Sequence, residues 1–192
     1  MSPYVLRRLY LLKGADMGQD VRKRRAKLLA FLGAAIALHC GRNVLRADPG
    51  KGGLEGVARS LKLRPNALAP LLAAFFHERE EDGVAVYERD KPQRNMLLAH
   101  LLAAAVLAEN GFLGAESFEA LRAELKTTAA DLVPRFRELG CVCNPTTVAA
   151  AGEDGEPTRV RAYTVALLKD TSLPAKTLAD CFPKIKTGPK RK

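Results

Sequence analysis

The chain carries two copies of one unit. Residues 28–38 shifted by 69 positions fall on residues 97–107 with seven identities: Leu28/Leu97, Leu29/Leu98, Ala30/Ala99, Leu32/Leu101, Ala34/Ala103, Ala35/Ala104 and Leu38/Leu107. Residues 54–75 shifted by 64 fall on 118–139 and pair Glu55/Glu119, Leu61/Leu125, Lys62/Lys126, Leu68/Leu132 and Pro70/Pro134. Helices rich in Ala and Leu match by chance, so the first block alone says little. Both blocks in the same order, with a shared proline and a linking segment five residues shorter in the second copy, indicate a duplication. Whatever one copy folds into, the other must fold into as well.

Breaker residues divide each copy. Lys27 to His39 is apolar nearly all round, with Leu28, Leu32, Ala35 and Ile36 on one helical face, and Gly41 is a natural stop. A loop over 48–53 leads to a short helix at 54–61. Pro65 opens another helix to about Phe76, and Val84 to Tyr87 reads as a short strand. In the second copy Thr128, with Asp131 three residues on, marks the start of the third helix. Cys141–Val148 and Arg159–Leu168, joined by the acidic loop 152–157, read as two strands. Three helices followed by a hairpin is the winged-helix order. The expected fold class is therefore mostly α with small β wings, two winged-helix domains in tandem. The first is expected over 27–90 and the second over 91–168, between a basic segment at 1–26 and a basic tail at 169–192. Pro70 and Pro134 are awkward, since a proline inside a helix costs about 3 kcal/mol; they are expected in the first turns, with a local kink.

Charge is concentrated at the ends. The 192 residues hold 31 Lys and Arg against 21 Asp and Glu, a net +10. Eight basic and two acidic residues lie in 1–27, and seven basic and two acidic in 169–192, so the body between is close to neutral. Basic arms on a neutral body suit a phosphate-bearing partner or an import signal. A composition 47% hydrophobic and 27% charged is that of a soluble globular chain. No apolar run reaches the roughly 18–20 residues of a spanning helix, so no membrane partner is expected. Arg7 and Arg8 spoil the first twelve residues as a secretory signal, and four cysteines without a leader point to a reducing compartment.

Two tandem winged helices, each opening with a helix of the KLLAFL/MLLAHLL type, resemble a particular family. The likeness is sharpened by Leu132-Val-Pro-Arg-Phe-Arg-Glu-Leu-Gly-Cys, followed by a wing and a basic tail. Over about residues 27–168 the chain is similar to the C-terminal half of the forty-nine-kilodalton-type subunit of RNA polymerase I, the polymerase-associated factor fifty-three family. The resemblance implies a non-catalytic, nucleolar subunit, held in the nucleus on the RNA polymerase I core. It implies support for initiation and elongation on ribosomal RNA genes, and duplex DNA binding without strong sequence preference. The family's β-rich N-terminal half, which dimerises with a second small polymerase I subunit, has no counterpart here, so that heterodimer does not follow.

The residue types agree with phosphate contacts rather than base reading. The third helix of the first copy, Asn66 to Phe76, has one polar residue and no charge, too few groups to read base edges. In the second copy Arg135 and Arg137 can touch phosphates but carry little sequence code. A denser cluster runs from Arg42 to Arg64, where Arg42, Arg46, Lys51, Arg59, Lys62 and Arg64 face only Asp48 and Glu55, whereas 78–90 holds six acids and two arginines. Lys126 repeats Lys62. Arg159 and Arg161 sit two apart on a strand and so share a face. The candidate DNA-binding set is thus Arg42, Arg46, Arg59, Lys62, Arg64, Lys126, Arg135, Arg137, Arg159 and Arg161. Solvated helix and strand faces explain the last four equally well.

No catalytic residue, metal ligand or cofactor site is expected. His39, His77 and His100 lack partners at ligand spacing, and Cys141-Val-Cys143 has no second pair for zinc. Gly50-Lys51-Gly52-Gly53 lacks the context of a nucleotide loop. A protein-interaction scaffold without direct DNA binding is the rival reading, favoured by the uncharged third helix of the first copy. If the flanks drive DNA affinity, removing 1–26 and 169–192 should abolish most of its salt dependence.

Overall fold

The structure, a computed structural model, describes residues 2–13, 18–151 and 157–167. The acidic loop at 152–156 and the basic tail from 168 onward, with Lys184, Lys186, Lys190, Arg191 and Lys192, lie outside the described residues.

Two long helices form the centre: α2 (Gln19–His39) and α5 (Lys91–Ala108). They open the first and second copies and pack on each other. Leu29, Leu32, Ala35, Ile36 and Leu38 meet Leu97, Leu101, Leu102, Ala104 and Ala105 in one continuous core. The pair is antiparallel: Arg25 reaches Asn110 beyond the C-terminal end of α5, and Leu38 lies by Arg89, just before its N-terminal end. Small side chains at Ala34, Ala35, Ala104 and Ala105 let the two backbones approach.

Each copy then follows one course. After α2 come strand β1 (Val44–Ala47), helices α3 (Gly53–Ser60) and α4 (Pro65–Phe75), and the hairpin β2 (His77–Glu81) and β3 (Val84–Glu88). After α5 come β4 (Phe112–Leu113), α6 (Ala115–Leu125), α7 (Ala129–Glu138) and the hairpin β5 (Cys141–Ala151) and β6 (Pro157–Leu167). The sheets are ordered β1-β3-β2 and β4-β6-β5, all antiparallel, so both copies are winged helices with the same topology.

Local chemistry sets the boundaries. Asp90 and Gln93 close a reciprocal capping box at the start of α5, with Pro92 in the first turn. Thr128 caps α7 through Asp131 N (3.2 Å), and its hydroxyl and backbone hold the Asp131 carboxyl below the usual carboxylate range. Pro70 and Pro134 each stand sixth in their helices, in the second turn. Each removes one main-chain bond on an exposed face, at Asn66 or Ala130, where water can satisfy the spare carbonyl.

Three strands were not legible in the sequence. β1 and β4 have four and two residues, too few to show alternation. β2, His-Glu-Arg-Glu-Glu, has no apolar residue at all and is held by its ladder to β3 and by ion pairs to Arg46 and Glu88. The first helix also begins earlier than Lys27. Its first two turns, from Gln19, carry Arg22, Lys23, Arg24 and Arg25, charges that disfavour a helix start.

The N-terminal residues are not a loose arm. In helix α1 (Pro3–Leu6) Tyr4 and Val5 are buried, Val5 against Gly33 of α2. Tyr4 N donates to Glu124 of α6 (2.6 Å). Arg8 is 5% exposed, lies over the Tyr4 ring, and donates to Tyr4 O and Glu109, which also accepts from Ser117. The segment therefore ties α2 to the second copy, and removing 1–26 would strip the core as well as charge.

At the other end of α2, Arg89 is 4% exposed and donates to Leu38 O (3.1 Å) and Asn43 Oδ1 (3.1 Å), capping the helix C-terminus. Burial, then Arg89 and Arg94 nearby, hold the His39 imidazole below its ordinary value. Neutral His39 is thus favoured by the fold, and the unfolded chain binds that proton more readily. Stability should be full above the ordinary histidine range near 6.5 and decline as pH falls below it. Urea denaturation at pH 7.5 and 5.5 should show this loss, and His39→Gln should reduce it.

Candidate nucleic-acid interface

The basic residues of the first copy fall into two groups. Arg59 lies in the last turn of α3, Lys62 in the tight turn, and Arg64 precedes α4; all three side chains are exposed. Among the described residues none of them has an ion pair. The second group lies around β1. Arg42 precedes the strand, exposed and without an ion pair among the described residues. Arg46 instead lies across the outer sheet face to Glu81 (3.0 Å). Glu81 and Glu88 also hold Arg79, so Arg46 belongs to a lattice of charges covering Val86.

The duplication places two lysines alike. Lys62 and Lys126 both occupy the turn before the third helix, both are exposed, and both adopt left-handed backbone, with φ of 56° and 52°. A side chain there costs about 1–2 kcal/mol that glycine would avoid. Lys62 leads into a helix whose own surface offers little to a base. On α4 the exposed residues are Asn66, Ala67, Ala69, Pro70, Ala73 and Ala74, with no charge among them.

In the second copy the arginines are scattered. Arg135 on α7 is paired with Glu138 (3.0 Å), and Arg137 beside it is exposed, with no ion pair among the described residues. Arg161 on β6 is exposed with its guanidinium 5.6 Å from the Tyr163 ring centre. Arg159 is opposite Ala149 in the β5–β6 ladder. The structure thus brings together Arg59, Lys62 and Arg64, neutralises Arg46 and Arg135, and leaves Arg42, Lys126 and Arg137 as separate exposed cations.

A groove of about 880 Å³ opens beside β1, lined by Arg42, Val44, Arg46, Lys51, Val57 and Leu61 among others. Gly56 shapes it. A Cβ there would run into Lys51 O, so only glycine lets α3 nest against the turn at 48–52. Sequence reasoning noticed the charges here but had no signal for the groove, because β1 was not anticipated.

Among the described residues no group of three or more His, Cys, Asp or Glu side chains could hold a metal ion. His100 Nδ1 lies 2.9 Å from Met96 O on its own helix, with its ring edge-on to Phe75. Cys141 and Cys143 are buried on β5, and burial pushes both thiols up, which keeps them unreactive. Among the described residues no helix is long and apolar enough to cross a membrane.

The family described as A49-like RNA polymerase I associated factor matches over residues 1–170, which takes in the N-terminal segment that clamps the core as well as both winged helices. No curated protein matches the chain. With nearly nine-tenths of its length matched, the chain belongs to the A49-like RNA polymerase I associated factor family, and so to the accessory components of RNA polymerase I transcription in the nucleus.

Proposed function

We propose that the chain is a non-catalytic subunit that binds duplex DNA largely through phosphates and supports initiation and elongation of ribosomal RNA synthesis in the nucleolus. The observation that carries this reading is the exposed, unneutralised trio Arg59, Lys62 and Arg64 at the turn between α3 and α4, echoed by Lys126 in the second copy. Arg42, Lys126, Arg137 and Arg161 add exposed positive charge, and Arg159, in register with Ala149 on the same strand as Arg161, belongs to the proposed set. Arg46 and Arg135 contribute less, since their charge is largely spent on Glu81 and Glu138. The neutral surface of α4 gives the complex no base-reading helix in the first copy, so discrimination between duplex sequences is weak.

The same neutral face favours a second reading, a protein-interaction scaffold without direct DNA binding. Salt dependence separates the two. Each phosphate neutralised contributes about 0.9 to the slope of log affinity against log salt. Arg59→Gln, Lys62→Gln and Arg64→Gln together should make that slope shallower by about 2–3 with Tm unchanged, measured by fluorescence anisotropy on a random-sequence duplex. An unaltered slope removes this surface from the interface, and no binding at low salt by the parent chain favours the scaffold.

The turn lysines yield a separate expectation. Lys62→Gly and Lys126→Gly should keep or raise stability, by up to about 1 kcal/mol each, while weakening DNA binding. Lys62→Val, β-branched at positive φ, should lose about 1–2 kcal/mol. Thermal melts and anisotropy on the same samples check both readouts.

A further inference from the structure

The groove beside β1 has a main-chain wall as well as a charged rim. Among the described residues β1 is an edge strand, since β3 lies on one side of it and no strand on the other. Arg89 N donates to Asn43 O (2.9 Å), which makes Asn43/Arg89 a hydrogen-bonded pair of the antiparallel ladder. Bonded and non-bonded pairs alternate, so Leu45 and Ala47 spend their main-chain groups on β3. The N–H and C=O of Val44 and Arg46 therefore point outward into the groove. Among the described residues no hydrogen bond takes them up.

The other walls are of two kinds. Val57 and Leu61 of the α3 end give an apolar floor, and Val44 leaves 40% of its side chain open to solvent. Arg42 and Lys51 stand at the rim beside Arg46, whose charge is held by Glu81, and among the described residues no carboxylate lines the groove itself. Arg42 has no ion pair among the described residues, and Lys51 only a loose one, 4.0 Å from Asp48.

We propose that this groove is a docking site for an extended acidic peptide segment of a protein partner, which adds to β1 as a further strand. The main-chain wall favours a peptide over a nucleic acid. Phosphates only accept hydrogen bonds, so the outward carbonyls of Val44 and Arg46 would face them unsatisfied. A strand offers donors and acceptors in alternation and satisfies both. The rim selects acidic side chains, and the floor accepts the apolar ones that alternate with them. The groove shares Arg42 and Arg46 with the proposed DNA-binding set, but the trio that carries the DNA reading, Arg59, Lys62 and Arg64, lies outside its lining.

The test uses the full chain and a fluorescein-labelled decapeptide of alternating Glu and Val, with fluorescence anisotropy at low salt. A twin peptide N-methylated at every residue keeps the charge but has no N–H left to donate to a ladder. The alternating peptide should bind at least tenfold tighter than its twin. Val44→Pro removes an outward N–H that the sheet does not use, so it should weaken peptide binding at least tenfold while leaving duplex affinity unchanged. Arg42→Glu should weaken it by a similar factor. In the unsubstituted protein, the Val44 and Arg46 amides should shift on titration in NMR spectra and gain exchange protection. Equal affinity for the two peptides, no binding of either, or unmoved Val44 and Arg46 amides would overturn the proposal. Competition of duplex DNA for the groove, with Val44→Pro damaging DNA and peptide binding alike, would assign it to nucleic acid instead.

Discussion

The antiparallel contact of α2 and α5 is the constraint on which the rest of the structure depends. Each winged helix contributes its first helix to that contact, so neither copy completes its hydrophobic interior alone. Leu32, Leu97, Leu101 and Leu102 are fully buried there, and full burial of one such side chain is worth about 1.5–3 kcal/mol. The N-terminal segment reinforces the same joint from outside. Tyr4 and Arg8 reach Glu124 and Glu109, residues of the second copy, while Val5 packs on α2. Two repeats that sequence presents as beads on a string are thus one cooperative unit. Surfaces on both are held at fixed positions by a shared core.

The parts of this arrangement legible in sequence are those written in short-range pattern. The spacing of Leu28, Leu32, Ala35 and Ile36 gives the first helix, Thr128 and Asp131 give the start of α7, and the duplicated order gives the topology of both copies. What was hidden depends on pairing at long range. Arg8 counts as one more charge in a basic flank, yet its partner Glu109 is 101 positions away, and only the fold makes it a core residue. β2 has the composition of a solvated loop and becomes a strand because β3 offers it a ladder. The candidate site shows the same division. Arg59, Lys62 and Arg64 are neighbours in sequence and in space. The neutralisation of Arg46 by Glu81 links strands 35 residues apart, and no count of local charge could register it.

Electrostatically the first copy has two distinct sides. The turn from Arg59 to Arg64 presents positive charge to solvent, whereas the β2–β3 hairpin turns its acids inward onto arginines, with Glu81 and Glu88 engaging Arg46 and Arg79. Such a lattice is worth little as stability, since exposed pairs contribute about 0–1 kcal/mol each. Its effect is on the field, because it removes Arg46 and Arg79 from the cations offered to a polyanion. A polyanion therefore meets one concentrated positive turn rather than a diffuse basic surface.

The all-polar β2 has one more consequence. A three-stranded sheet has two rims, and if both accepted a strand, copies of the chain could stack rim to rim in a head-to-tail series without end. Along β2 a newcomer would have to strip water from Glu78, Arg79, Glu80 and Glu81, four charges in succession. That rim is closed to growth. The sheet can be lengthened on the β1 side alone, so copies of the chain cannot join rim to rim in a series, and the sheet is a terminus for assembly rather than a link in a fibre.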